Sequence, residues 1–178
     1  MLVALVGAPS ARASEALWTL LREGGHVVLL RHSPTDPGVG DPPGFRLDDC
    51  ATQRNLSEAG RAQARRLGAA FRARAVPVGE VLSSPWCRCL ETGRLAFSRA
   101  EPWPALDSQF QDKSRAAEQA RAVRERAGRR PVSGNLVMIS HGTNIVAWTG
   151  VYPAQGEMVI LTPRGDGGFT VAGKLIVE

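Results

Sequence analysis

The sequence predicts an α/β protein, a three-layer α/β/α sandwich whose sheet is mainly parallel and carries an antiparallel strand at its C-terminal edge. Three observations carry this prediction. The short apolar runs 27–30 and 135–139 are bounded by turn residues, as central strands are. Amphipathic stretches alternate with the strand-like runs along the chain. Near the end, Gly165-Asp166-Gly167-Gly168 reads as a turn between two antiparallel strands.

At 178 residues the chain fits one domain with a core large enough to need no metal. With 43% hydrophobic and 22% charged residues it has an ordinary globular composition, and its net charge of +5 is nearly all arginine. These arginines are scattered between alanines, with no basic stripe interleaved with aromatics. The excess therefore predicts attraction for anionic substrates and no nucleic-acid partner.

Residues 1–13 read as a signal-peptide-like segment, and residues 14–178 as the single domain. Leu2 to Ala8 is apolar, and Ala11-Arg12-Ala13 has the small-x-small form of an export cleavage site, although a basic leader is missing. A helix or strand at the edge of the fold is the alternative. The run is too short to span a bilayer, so no stable membrane insertion is expected.

Ser14 then caps a helix to about Glu23, with Leu17, Leu20 and Leu21 on one face. Val27 to Leu30 form the first strand, which delivers Arg31 and His32 at its carboxyl end, where ligands bind in open α/β sheets. Residues 33–56 form a long loop read as a cover over the pocket, with Arg54 pointing in. Ser57 caps a helix to about Arg74 whose inward residues are Ala62, Leu67, Ala70 and Phe71. A strand over 80–84 leads into a helix over 86–97 that sets Arg88 and Thr92 one turn apart. Residues 105–107 read as an edge strand and 113–127 as a largely polar helix. The strand over 135–140 ends at His141-Gly142, and Thr143-Asn144 opens a short helix whose first amides can face an anion. Strands over 156–162 and 169–177 complete the sheet.

The three cysteines lack the paired spacing of zinc ligands, and neither metal nor cofactor is expected. In a helix starting near residue 86, Cys87 and Cys89 lie roughly 200° apart around the axis, so Cys50 can bridge only one of them. Cys87, beside Arg88, is the expected partner of Cys50. Three free thiols are the alternative.

Four separated segments share one direction of chemistry: Leu30-Arg31-His32, Gln53-Arg54-Asn55-Leu56-Ser57-Glu58-Ala59-Gly60, Ser83 through Arg88 to Thr92, and Ser140-His141-Gly142. In type and order they resemble the histidine phosphatase superfamily, the phosphoglycerate mutase-like group, from residue 26 to 162. The Asp49-Cys50 approach to Gln53-Arg54, with the signal-like start, is similar to an exported bacterial branch that includes lipopolysaccharide core heptose phosphatases. The resemblance implies that His32 takes the phosphoryl group as a phosphohistidine. It also implies that Arg31, Arg88 and His141 hold the phosphate oxygens, with Arg54 helping from the loop. Ser33, Gly142 and Thr143 join them as substrate-binding positions.

Two departures from the family pattern stand out. Ser33 occupies a position where the family usually has glycine, and a positive φ there would impair the site. No carboxylic acid is fixed as proton donor. Asp107 lies in the region where the family often carries it, with Asp36 and Asp49 as rivals. The expected function is thus a metal-independent phosphatase, periplasmic or secreted with a cytoplasmic location as the alternative, acting on a small or cell-surface phosphoester. A phosphate-binding module without turnover and a phosphoglycerate-type mutase are the alternatives, and the sequence sets no oligomeric state.

Overall fold

The computed structural model describes residues 11–109 and 113–177. Within them lie five α-helices, α1 (Ala11–Glu23), α2 (Glu58–Ala73), α3 (Cys87–Phe97), α4 (Ala116–Ala127) and α5 (Gly142–Thr149). Six strands, β1 (Val27–Arg31), β2 (Val78–Ser83), β3 (Glu101–Pro102), β4 (Asn135–Ser140), β5 (Glu157–Pro163) and β6 (Phe169–Ile176), form one sheet in the order β3-β2-β4-β1-β5-β6. The strands β3, β2, β4 and β1 run parallel, and β5 and β6 are antiparallel, as the sequence pattern predicts. None of the described helices is long and apolar enough to cross a membrane.

The layers follow from side-chain alternation along the central strands. In β1, Val28 and Leu30 face α1, α2 and α3, packing with Leu21, Leu67 and Phe71. Val27 and Leu29 face α4 and α5, packing with Val123, Ile145 and Trp148. Both faces of β1 and β4 are dry, which explains their unbroken apolar runs.

Several boundaries differ from the sequence reading. Residues 1–10 of the signal-like segment lie outside the described residues, and 11–13 form the first turn of α1. The inward face of α2 carries Gln63, Ala64, Leu67, Gly68 and Phe71, whereas Ala62 is only half-buried. Ser57 caps α2 as expected, its hydroxyl accepting from the Gly60 amide. Gly60 lets the helix start against the exit of β1, since a Cβ there would sit 1.9 Å from the Pro34 carbonyl oxygen.

The edge strand expected at 105–107 is a 3₁₀ turn, Pro104–Leu106, and the edge pairing falls earlier, at β3. Proline explains the displacement. Pro102 and Pro104 donate no hydrogen bond, so the ladder stops after two residues and Pro104 opens the turn instead. The Leu106 carbonyl then accepts from Ser140 Oγ and Asn144 Nδ2, which ties this connection to the end of β4.

The loop over 33–56 is closed at its base by an antiparallel bridge between Thr35 and Leu56. Several contacts fasten it to α3 or to the residue just before it. Cys50 and Cys87 form a disulfide, Gln53 Oε1 accepts from the Cys87 amide at 3.0 Å, Asp41 pairs with Arg88, and Phe45 stacks on Trp86 at 4.6 Å. Loop-closure entropy over the 37-residue separation gives the disulfide a stabilising effect of up to about 4 kcal/mol. Cys50→Ser is expected to lower the urea unfolding free energy by up to this amount at unchanged pH, and an unchanged midpoint would contradict the estimate.

Candidate active site

A cavity of about 430 Å³ opens at the carboxyl ends of β1 and β4. Its wall brings together Arg31, His32, Arg54, Arg88, His141, Gly142 and Thr143 from the sequence prediction, and adds Gly40, Asp41, Trp86, Ser108 and Tyr152. The pairing of Arg31 with Ser140 across parallel strands puts His32 and His141 side by side, with ring centroids 5.5 Å apart.

His32 Nδ1 lies 2.9 Å from the Ser33 carbonyl oxygen. A carbonyl only accepts, so Nδ1 carries the proton and the Nε2 lone pair is left for an electrophile. Burial first, and then Arg88, Arg31 and Arg54, lower the His32 pKa to about 3 despite that hydrogen bond. Burial likewise holds His141 well below 6.5, with its Nε2 2.9 Å from Ser84 Oγ. Both imidazoles are therefore neutral near pH 7.

The three arginines share an unusual property. Arg31 Nε, Arg54 Nε and Arg88 Nε are all buried without a hydrogen-bond partner. A second nitrogen of each is anchored: Arg31 Nη1 donates to the Pro153 carbonyl at 3.0 Å, Arg54 Nη1 to the Val39 carbonyl at 2.9 Å, and Arg88 Nη1 to Asp41 at 2.9 Å. Arg88 also stacks over Trp86, 4.4 Å from the ring centroid. Burial and the neighbouring Arg88 lower the pKa of Arg54, although Asp41 opposes them. Fixed guanidiniums with orphaned donors in one cavity form a receptor for an oxyanion.

Gly142 makes this arrangement possible. A Cβ there would meet Arg31 Nε at 3.2 Å and the Tyr152 ring at 3.1 Å. The hydroxyl of Tyr152 accepts from Arg31 Nη1 at 3.3 Å, so glycine, guanidinium and phenol are packed as a set.

Other sequence-named residues lie elsewhere. Ser33 is fully buried, its amide donates to Thr92 Oγ1, and its hydroxyl is not on the cavity wall. Its φ is not positive, so serine fits the backbone without the strain anticipated above. Asp107 also lies off the wall, with Oδ1 accepting from Trp86 Nε1 at 2.8 Å and from the Ser108 amide at 2.7 Å. Asp49 caps the short 3₁₀ turn Cys50–Thr52 and pairs with Arg46, while Asp36 is exposed outside the cavity. Cys89 is a free buried thiol whose pKa burial pushes up to about 12, which makes it inert as a nucleophile. Among the described residues no group of three or more His, Cys, Asp or Glu is arranged to hold a metal ion.

The buried histidines predict a pH effect on stability. His32 has a folded pKa of about 3 against an unfolded value of 6.5, so between those values the unfolded chain binds a proton that folded His32 does not, and burial shifts His141 in the same direction. Stability is fully present above pH 6.5 and falls as pH drops through that window, by roughly 1.4 kcal/mol per pH unit from His32, with His141 acting in the same direction. Urea midpoints at pH 7.5 and 5.5 check this, and a flat profile would refute it.

Residues 27–114 match the family model described as histidine phosphatase superfamily (branch 1). No curated protein sequence matches the chain. Solved structures share its fold. The protein histidine phosphatase SixA complexed with tungstate is 20% identical, over 85% of this chain and 96% of that one, with a TM-score of 0.55. Phosphoserine phosphatase from Entamoeba histolytica in complex with 3-phosphoglyceric acid is 13% identical, over 86% and 98%, at 0.61. A mycobacterial glucosyl-3-phosphoglycerate phosphatase complexed with VO3 is 19% identical, over 82% and 96%, at 0.52. Residues 27–114, just under half of the chain, are thus similar to the histidine phosphatase superfamily, and the chain shares its fold with solved phosphatase structures.

Proposed function

We propose that the protein hydrolyses a phosphomonoester through a phosphohistidine on His32. The observation that carries this reading is the meeting of a neutral imidazole, tautomerically fixed with Nε2 free, and three anchored arginines whose Nε groups are buried without partners. In the first step Nε2 attacks phosphorus in line with the leaving oxygen, a bond forms between nitrogen and phosphorus, and the ester P–O bond breaks. Arg31, Arg54 and Arg88 offset the charge on the equatorial oxygens, and Arg88 and Arg31 arrive already oriented by their other hydrogen bonds. In the second step water displaces Nε2 and releases inorganic phosphate. The relatives of the same fold that hold tungstate, VO3 and 3-phosphoglyceric acid support an oxyanion in this cavity.

The finer reading is an exported enzyme acting on a small or cell-surface phosphoester, in the manner of the lipopolysaccharide core heptose phosphatases. The Cys50–Cys87 disulfide supports an oxidising compartment, because such bonds are rare in a reducing cytosol. The negative-side backbone of Ser33 removes one reason to expect a binding module without turnover. The test is release of phosphate from 4-nitrophenyl phosphate, expected to resist chelators and to be inhibited by vanadate, with an acid-labile phosphoenzyme trapped during turnover. A phosphoenzyme stable to acid, or none, would remove the histidine mechanism. Screening sugar, lipid and protein phosphates with the same assay then tests the substrate class.

A further inference from the structure

The geometry points to Asp41 as the general acid and base of the reaction, a role that rests on the phosphatase reading above. Among the described residues Asp41 is the only carboxylate on the cavity wall. Its side chain is 13% exposed, and that of its partner Arg88 is 4% exposed. One oxygen is fixed twice: Oδ1 accepts from the Arg54 amide at 3.0 Å and from Arg88 Nη1 at 2.9 Å. Oδ2 has no hydrogen bond to any described residue, so one oxygen anchors the group and the other is left for exchange with substrate. The anchors matter because they come from the phosphate receptor itself. Arg54 and Arg88 both belong to the wall that would clasp the phosphoryl group, which sets the carboxyl within its first neighbours.

The first step uses Asp41 in its carboxylic acid form, which carries one proton. As His32 Nε2 bonds to phosphorus, Asp41 gives that proton to the leaving oxygen, which keeps the electron pair of the broken P–O bond. Water then attacks phosphorus and passes a proton to the Asp41 carboxylate, while the N–P electron pair returns to Nε2. The cycle ends with Asp41 protonated again, an alcohol and phosphate released, and no redox partner required.

The test is kcat/KM, which reports the steps through phosphoenzyme formation, for a graded series from 4-nitrophenyl through phenyl to benzyl phosphate. Asp41→Asn keeps an acceptor for the Arg54 amide and Arg88 but has no carboxylic proton to give. Expected is a loss under about tenfold on 4-nitrophenyl phosphate, whose leaving group needs little protonation, growing to about 10²–10⁴-fold on benzyl phosphate. Asp41→Glu should restore part of the benzyl phosphate activity. An equal loss along the series would make Asp41 a positioning residue for Arg88 and overturn the assignment alone. A gain along the series would overturn it too, by showing that the carboxylate competes with substrate for Arg88. Absence of turnover in the wild type would overturn the phosphatase reading and this one with it.

Discussion

His32→Ala is expected to lower turnover of 4-nitrophenyl phosphate by about 10⁴-fold or more and to abolish the trapped phosphoenzyme. The expected size reflects the loss of the nucleophile rather than of a helper, for which the residual rate is only what binding and charge stabilisation provide. The fold should survive. His32 is buried but neutral, and its ring makes one hydrogen bond, to the backbone of its own neighbour, so truncation leaves no buried charge. Vanadate binding in the variant separates the two roles. Retained binding with lost turnover assigns chemistry to His32 and binding to the arginines, whereas turnover within tenfold of wild type would eliminate the proposed intermediate.

Arg88→Ala is expected to give the next largest effect, a loss of about 10²–10³-fold in kcat/KM from removal of one preorganised donor. It should also destabilise the protein, by on the order of 3 kcal/mol, because Asp41 loses its cationic partner in a site where both side chains are buried. Arg88→Lys should recover stability better than activity. An ammonium can face Asp41, but it cannot reproduce a planar fork with one nitrogen on Asp41, another free for phosphate and a face on Trp86. Equal activity in Arg88→Lys and wild type would show that only net charge matters here.

The site was legible in the sequence where strict geometry leaves a pattern. Val27 to Leu30 and Leu136 to Ile139 are buried on both faces, so their composition marks central strands, and the residues that follow them fall at the ligand-binding end. The angular argument on Cys87 and Cys89 was legible for the same reason, as a property of a regular helix. Asp41 and Tyr152 carry no such mark. Asp41 sits in an aperiodic loop among prolines and glycines, where an aspartate most often serves a turn, and its partner Arg88 is 47 residues away. Tyr152 lies just past the α5 terminus at Gly150 and meets Arg31 across 121 residues of sequence. Local signals cannot encode contacts of that range. The misplaced edge strand has a different origin, since an apolar Ala105-Leu106 reads the same whether it pairs in a sheet or plugs a core beneath a 3₁₀ turn.

β1 and β4 are immediate parallel neighbours, with Arg31 opposite Ser140, so the offset between the two imidazoles is inherited from backbone pairing. It is a ruler cut into the scaffold, close to the interstrand pitch of about 4.8 Å. Side-chain substitution elsewhere has little purchase on it. New specificities on such a frame must therefore come from chain that leaves the sheet, and a single inserted residue in either strand would carry one imidazole to the opposite face of the molecule.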